Sequence, residues 1–516
     1  MVPGESKARG ELGEARRVIR SLVNITADAL GDIASWSQGL WPASQACTKA
    51  FPTSLLDCLE HHDVVWPRAP RRTARPAENP GRRHAVEERA ICMAIAPHDC
   101  RQAPLRVRGL IYKESLHGLI VRHAFGKVYP NLNAKPSMYD AIVLGLGGMG
   151  SAAVMHLAAH GKRVLGLEQF TLAHDRGSSH GNTRMIRQAY YEDPAYVPLV
   201  LRAYELWMDL ENDAEEQLFM RTGGLMVGRM ESELVQGSLR SAREHNLKHE
   251  LLEGNEIVRR FPATAPRQND VALFEEPAGI LFPEACIRAH VQRAKSKGAD
   301  LRFQTEVQSW EATPIGVAVT TAAGERFEAE QLVICAGAWL AQVASDLNLP
   351  LRVERNVMHW FQPRVHPDLF GPAKLPVYIV DHKQKFMLYG FPSIGGSGLK
   401  AAFHHSEIFT TPQELDRTVS DSEVEAVREA LADWMPAAAG KHVASTACMY
   451  TLTPDLHFLI GRHPREANVW IAGGFSGHGF KFCSVVGEII TDLIIEGVSF
   501  HDIRLFDPAR FVDHWT

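Results

Sequence analysis

One stretch constrains this chain more than any other. Behind Asp140 runs Ala141-Ile142-Val143-Leu144, a short continuous apolar segment suited to a buried strand. Gly145-Leu146-Gly147-Gly148-Met149-Gly150 follows. Ala152, Ala153, Met155, Leu157 and Ala158 then recur at helical spacing, and Gly161 supplies the stop. Arg163-Val164-Leu165-Gly166-Leu167 reads as a second strand, closed by Glu168. Strand, glycine turn, helix, strand and acid in this order make a unit that holds a dinucleotide. Gly145 permits the tight turn, Gly147 lets the backbone approach a pyrophosphate, and Gly150 lets the helix pack on the strand. The helix N-terminus offers free N–H groups and the positive end of its dipole to the phosphates. Glu168 is placed to accept hydrogen bonds from the adenosine ribose, and an acid there argues against NADP. FAD and NAD stay equal on these residues alone.

The rest of the chain narrows the class. At 516 residues it is too long for one ordinary core, so two or more domains are expected. A formal net charge of -5 gives no global argument for nucleic acid or an acidic membrane. No run of about 18 apolar residues suggests a membrane span. Eight cysteines without regular spacing predict reduced thiols in a cytoplasmic setting, with no disulfide framework and no metal site. Residues 1–137 carry Pro/Arg-rich pieces such as Trp66-Pro67-Arg68-Ala69-Pro70-Arg71-Arg72, which bury too little apolar surface to offset chain entropy. They are expected to be disordered or an over-extended start, with Met138 as the expected true first residue.

Four downstream stretches break the cofactor tie. They are Gly177-Ser178-Ser179-His180-Gly181-Asn182-Thr183-Arg184-Met185-Ile186-Arg187, Gly398-Leu399-Lys400-Ala401-Ala402-Phe403-His404, Ala447-Cys448-Met449-Tyr450-Thr451 and Phe475-Ser476-Gly477-His478-Gly479-Phe480-Lys481-Phe482. Together, from Tyr139 to about Phe506, they resemble the monomeric sarcosine oxidase family, which includes N-methyltryptophan oxidase and the peroxisomal sarcosine/pipecolate oxidases. The departures are Ser179 where many relatives have histidine, Gln188 where histidine is common, and Glu168 where some have aspartate.

The resemblance implies FAD, held covalently by Cys448 through the 8α carbon of its ring. It implies that Arg187 and Lys481 hold the substrate carboxylate, for which a guanidinium fork and a point ammonium charge are suited. Lys400 is implied as the oxygen-activating cation, with Arg184 beside the flavin. His404, Tyr450, Tyr389 and His180 are implied as groups that line the pocket or tune substrate protonation. Ser178, Ser179, Thr183, Gly477, Gly479 and Phe480 are placed against the cofactor. Leu332 to Trp339 resembles the second nucleotide-domain signature, and Val307 is implied near adenine.

The fold implied is α/β: a glutathione-reductase-like FAD-binding Rossmann domain (138–220, 283–350 and 452–507) interleaved with a β-rich substrate domain (221–282 and 351–451). The reaction implied is oxidative demethylation of a small N-methyl amino acid by O2. Sarcosine is the first candidate, with N-methyltryptophan or pipecolate as alternatives within the family. A monomer with no nucleic-acid or membrane partner is expected. Two rivals remain from the residues alone: an NAD-dependent dehydrogenase, and a non-catalytic binding role carried by the first 137 residues.

Overall fold

The computed structural model describes residues 138–382 and 386–511. The expectations for residues 1–137 lie outside that range.

The expected βαβ unit forms as β1 (Tyr139–Leu144), α1 (Gly148–Ala159) and β2 (Val164–Leu167). β1 and β2 run parallel, with Ile142 opposite Leu165 and Leu144 opposite Leu167. On its other side β1 pairs in parallel with Arg326–Ile334, placing Ile142 opposite Leu332. A strand covered on both faces must be apolar throughout, and Ala141, Ile142 and Val143 are fully buried. Each such Ile or Val contributes about 1.5–3 kcal/mol on burial. Asp300–Arg302 extends the sheet beyond β2, and Val469–Gly473 extends it beyond Arg326–Ile334. α1 packs between the helices Pro283–Ser296 and Cys483–Ile495.

A second, nine-stranded sheet is built from two separate stretches of chain. Gly224–Arg229 and Asp270–Glu275 come from the first, and Arg352–Phe361, Leu399–His404 and His442–Leu452 from the second. The stretches join where Val377–Val380 runs parallel to Gly224–Arg229. The helix Asp421–Trp434 covers one face with Val424, Val427, Leu431 and Trp434. Its start is set by a capping box, Ser420 with Glu423.

The chain passes between these two sheets four times, after Leu167, Glu275, Ile334 and Leu452. A third sheet of three strands, Arg184–Ile186, Gly279–Leu281 and Phe219–Arg221, lies on this route. Two of the expected domain breaks, at 220/221 and 451/452, fall inside strands, Phe219–Arg221 and His442–Leu452. Among the described residues no helix is long and apolar enough to cross a membrane, and no cluster of His, Cys, Asp and Glu could hold a metal.

Candidate active site

The glycine turn does physically what its spacing predicts. Gly145 has φ +84°, and a Cβ there would meet the Cys335 carbonyl oxygen at 2.5 Å. A Cβ on Gly150 would sit 1.8 Å from the Gly145 carbonyl oxygen, so only glycine allows α1 to leave the strand this closely. A Cβ on Gly147 would meet nothing within 4 Å, because it faces open space. That space is a groove of about 1300 Å³ lined by Gly145, Gly147, Glu168, Ser178, Ser179, Val307, Gly477, Gly479 and Phe480 among others. α1 has no side-chain cap and no acid in its first turn, so its N–H groups remain available for phosphate. Glu168 is fixed at the groove wall by N–H donors from Leu146 and Phe170, both at 2.9 Å. Burial pushes its carboxyl up, but His174 and these N–H groups outweigh that and hold it below the usual carboxylate range. A pinned carboxylate beside a glycine cradle fits a ribose and pyrophosphate.

A second cavity, of about 80 Å³, adjoins the first. Arg184, Tyr450, Gly477 and Phe480 line both, so groove and pocket share a wall. The pocket gathers Thr183, Arg187, Tyr389, Lys400, His404, Cys448 and Lys481 from four distant parts of the chain. Of the residues singled out from sequence, Gly150 and His180 line neither cavity. Gly150 acts through packing. His180 is buried, its Nε2 has no partner among the described residues, and burial plus the Arg184 guanidinium bring its pKa down to about 3.

Arg187 follows the strand Arg184–Ile186 and is 2% exposed. The chain after it is pinned by the buried Glu275 carboxylate, which accepts N–H bonds from Gln188 and Ala189. One guanidinium nitrogen donates to both oxygens of Glu192, at 2.7 and 2.6 Å. The Arg187 guanidinium also lies over the rings of Tyr190 and Tyr191. Burial alone would raise the Glu192 carboxyl, but Arg187 overrides it and leaves it at about 2. Glu192 is a pocket residue that sequence reasoning missed. Its only signal was an acid five residues after the arginine.

Lys481 donates to the His478 carbonyl at 2.8 Å and to the Tyr190 hydroxyl at 3.4 Å. Its backbone is held in turn by the Trp207 indole N–H at 2.8 Å. Burial, and then the nearby Arg187 guanidinium, lower Lys481 to about 7. Lys400 is 2% exposed, not the surface lysine its glycine-rich approach could suggest. Its Nζ donates to the carbonyls of Gly181 and Thr183 at 2.9 Å and to the Thr183 hydroxyl at 3.0 Å. Burial pushes its pKa well down, but three oxygens match the three N–H bonds of an ammonium, and that geometry favours the charged form. Burial also pushes His404 well below its ordinary value, so its imidazole is neutral. Tyr389 and Tyr450 rise through the same cause and stay protonated.

Cys448 lies on His442–Leu452 opposite Asn356, 2% exposed. The Arg184 guanidinium is 3.8 Å from its sulfur, and the Ser178 carbonyl 3.7 Å.

A dinucleotide groove that shares a wall with a small pocket bearing three buried basic side chains is the arrangement of a nucleotide-dependent oxidoreductase. Residues 140–493 match the DAO family, FAD dependent oxidoreductase. Monomeric sarcosine oxidase from Streptomyces avermitilis is 49% identical over 375 residues, which is 72% of this chain and 97% of that protein. N-methyl-L-tryptophan oxidase from Escherichia coli O157:H7 is 32% identical, covering 72% of this chain and 99% of that one. The solved structure of NikD, an unusual amino acid oxidase, superimposes with a TM-score of 0.64 at 22% identity over 72% of this chain and 97% of its own. The chain therefore belongs to the FAD-dependent DAO oxidoreductases, and within them to the monomeric sarcosine oxidase family. Family membership settles the cofactor as FAD and removes the NAD-dependent alternative.

Proposed function

We propose that this protein oxidises sarcosine with O2 and water to glycine, formaldehyde and hydrogen peroxide. The observation that carries the reading is the juxtaposition of Arg187 and Lys481 in a pocket of about 80 Å³ sharing a wall with the cofactor groove. That volume takes roughly five to eight water-sized groups, which suits sarcosine and falls well short of N-methyltryptophan.

FAD held in the groove would supply the two-electron chemistry between substrate and O2. The residues supply the rest. Arg187 and Lys481 hold the carboxylate, and their positive charges lower the pKa of the substrate amine, which must be neutral to react. His404, kept neutral by burial, lines the substrate space without adding a charge beside the amine. Lys400 holds a positive charge against the developing charge on oxygen. Cys448 is the proposed covalent anchor. Its sulfur lies 3.8 Å from the Arg184 guanidinium, in the wall of the substrate pocket.

The test is hydrogen peroxide release in air from sarcosine, with N-methyltryptophan and pipecolate alongside. Release from sarcosine is expected to be fastest. A yellow protein that releases peroxide from none of the three would sink the substrate reading and leave the cofactor site intact.

Carboxylate binding should also depend on pH. Lys481 must be protonated to attract an anion, and its free-protein pKa is about 7. Below that value it is charged and affinity is flat. Above it, the inhibition constant of methoxyacetate, an acid with no ionisable nitrogen, is expected to rise about tenfold per pH unit. A flat profile from pH 6 to about 9 would remove Lys481 as the titrating clamp.

A further inference from the structure

Asn356 sits in the strand Arg352–Phe361, opposite Cys448, and is 3% exposed. It lines the small pocket. Its Nδ2 donates to Glu354 Oε2 at 3.0 Å. Glu354 also accepts from the His405 ring at 2.9 Å and from the backbone N–H groups of Ser406 and Glu407 at 3.1 and 2.8 Å. Burial works against its charge, but His405 and these other donors hold the carboxyl down at about 2. An ionised carboxylate only accepts hydrogen bonds, so the amide NH2 of Asn356 must face it. The amide carbonyl is thereby turned the other way. Among the described residues its buried Oδ1 has no hydrogen-bond partner, and no other buried side-chain polar atom lining the pocket lacks one.

A buried carbonyl left without a donor is costly, so such a group asks for a ligand. Arg187 and Lys481 carry only donors and are matched to the carboxylate of a small amino acid. The amine N–H of the same molecule needs an acceptor. The Glu192 carboxylate also lines the pocket, but it is an anion, and a negative charge against the nitrogen would favour the ammonium over the neutral amine. We propose that Asn356 is a specificity-determining residue whose side-chain carbonyl accepts the N–H of the bound secondary amine. The inference rests on the sarcosine reading above and deepens it. A neutral carbonyl holds the N–H without placing a further negative charge against the nitrogen, which would favour the unreactive ammonium. Glu354 does not line the pocket itself, and Asn356 is the amide between it and the substrate space. Substrates with an N–H when neutral are favoured, and tertiary amines such as N,N-dimethylglycine leave the carbonyl unpaired and are disfavoured.

The experiment compares sarcosine with methoxyacetate, in which an ether oxygen replaces the N–H. The flavin-loaded wild type and N356L are assayed for kcat/KM on sarcosine and for inhibition by methoxyacetate. N356L is expected to lose about 10- to 100-fold in kcat/KM for sarcosine. Its methoxyacetate inhibition constant should stay within about twofold of wild type, because that ligand offers no N–H. Equal losses for both ligands would show a packing role, and no loss for either would show no role; each overturns the inference. N356S, shorter but still polar towards Glu354, provides the same comparison if N356L yields no holoenzyme. Wild type that releases no peroxide from sarcosine removes the functional reading itself. Wild type that works while N356L and N356S work equally well removes only the role of Asn356.

Discussion

Acid denaturation of the Cys448→Ala variant is expected to release all of its flavin, whereas wild type should keep flavin on the polypeptide. The choice among cysteines is physical. Cys335 and Cys483 line the cofactor groove. Burial lifts the Cys335 thiol to about 12 and the Cys483 thiol well above its ordinary value, so neither forms an anion near neutral pH. Cys286 is buried and lifted likewise. Cys448 differs in its neighbour, since its sulfur lies 3.8 Å from the Arg184 guanidinium in the wall of the substrate pocket. Thiolate is the form that attacks, and Cys335, Cys483 and Cys286 are held away from it by burial. The measurement is flavin fluorescence of the denatured chain on a gel. Fluorescence that still migrates with Cys448→Ala would assign the anchor to another residue. Activity is expected to fall with the loss of attachment.

The second large effect is expected from Lys400→Met. Methionine roughly preserves the volume and removes the charge. With the ammonium gone, reoxidation of the reduced enzyme by O2 should slow by about 10²- to 10³-fold, the usual cost of deleting an electrostatic stabiliser. Reduction by sarcosine should change little by comparison, because the carboxylate is held by Arg187 and Lys481. Stopped-flow measurement of the two half-reactions separates these outcomes. Equal slowing of both would mean that Lys400 supports the architecture through its bonds to Gly181 and Thr183, and would end its assignment to oxygen.

Much of the cofactor site was legible because its logic is local. Gly145, Gly147, Gly150 and Glu168 lie within one short stretch, and backbone sterics assign each glycine its task before any long-range contact forms. The FAD choice was legible only through resemblance, since the glycine turn serves NAD equally well. Lys400 shows the limit of local reading. Its surroundings in sequence, after Gly395-Gly396-Ser397-Gly398, suit a surface turn as well as a buried strand. Its burial follows from pairing with Arg352–Phe361, which no local pattern specifies.

By itself, then, the sequence determined the βαβ unit, the glycine cradle and, through resemblance, a family with a named set of cations. Only the tertiary structure decided how those cations are held. Glu192 fastens Arg187, burial brings Lys481 to about 7, and Glu354 turns the Asn356 carbonyl away from itself. Such partners belong to different sheets and loops. Their charge states depend on desolvation and on neighbours within a few ångströms, and both arise only when the chain has closed around the pocket.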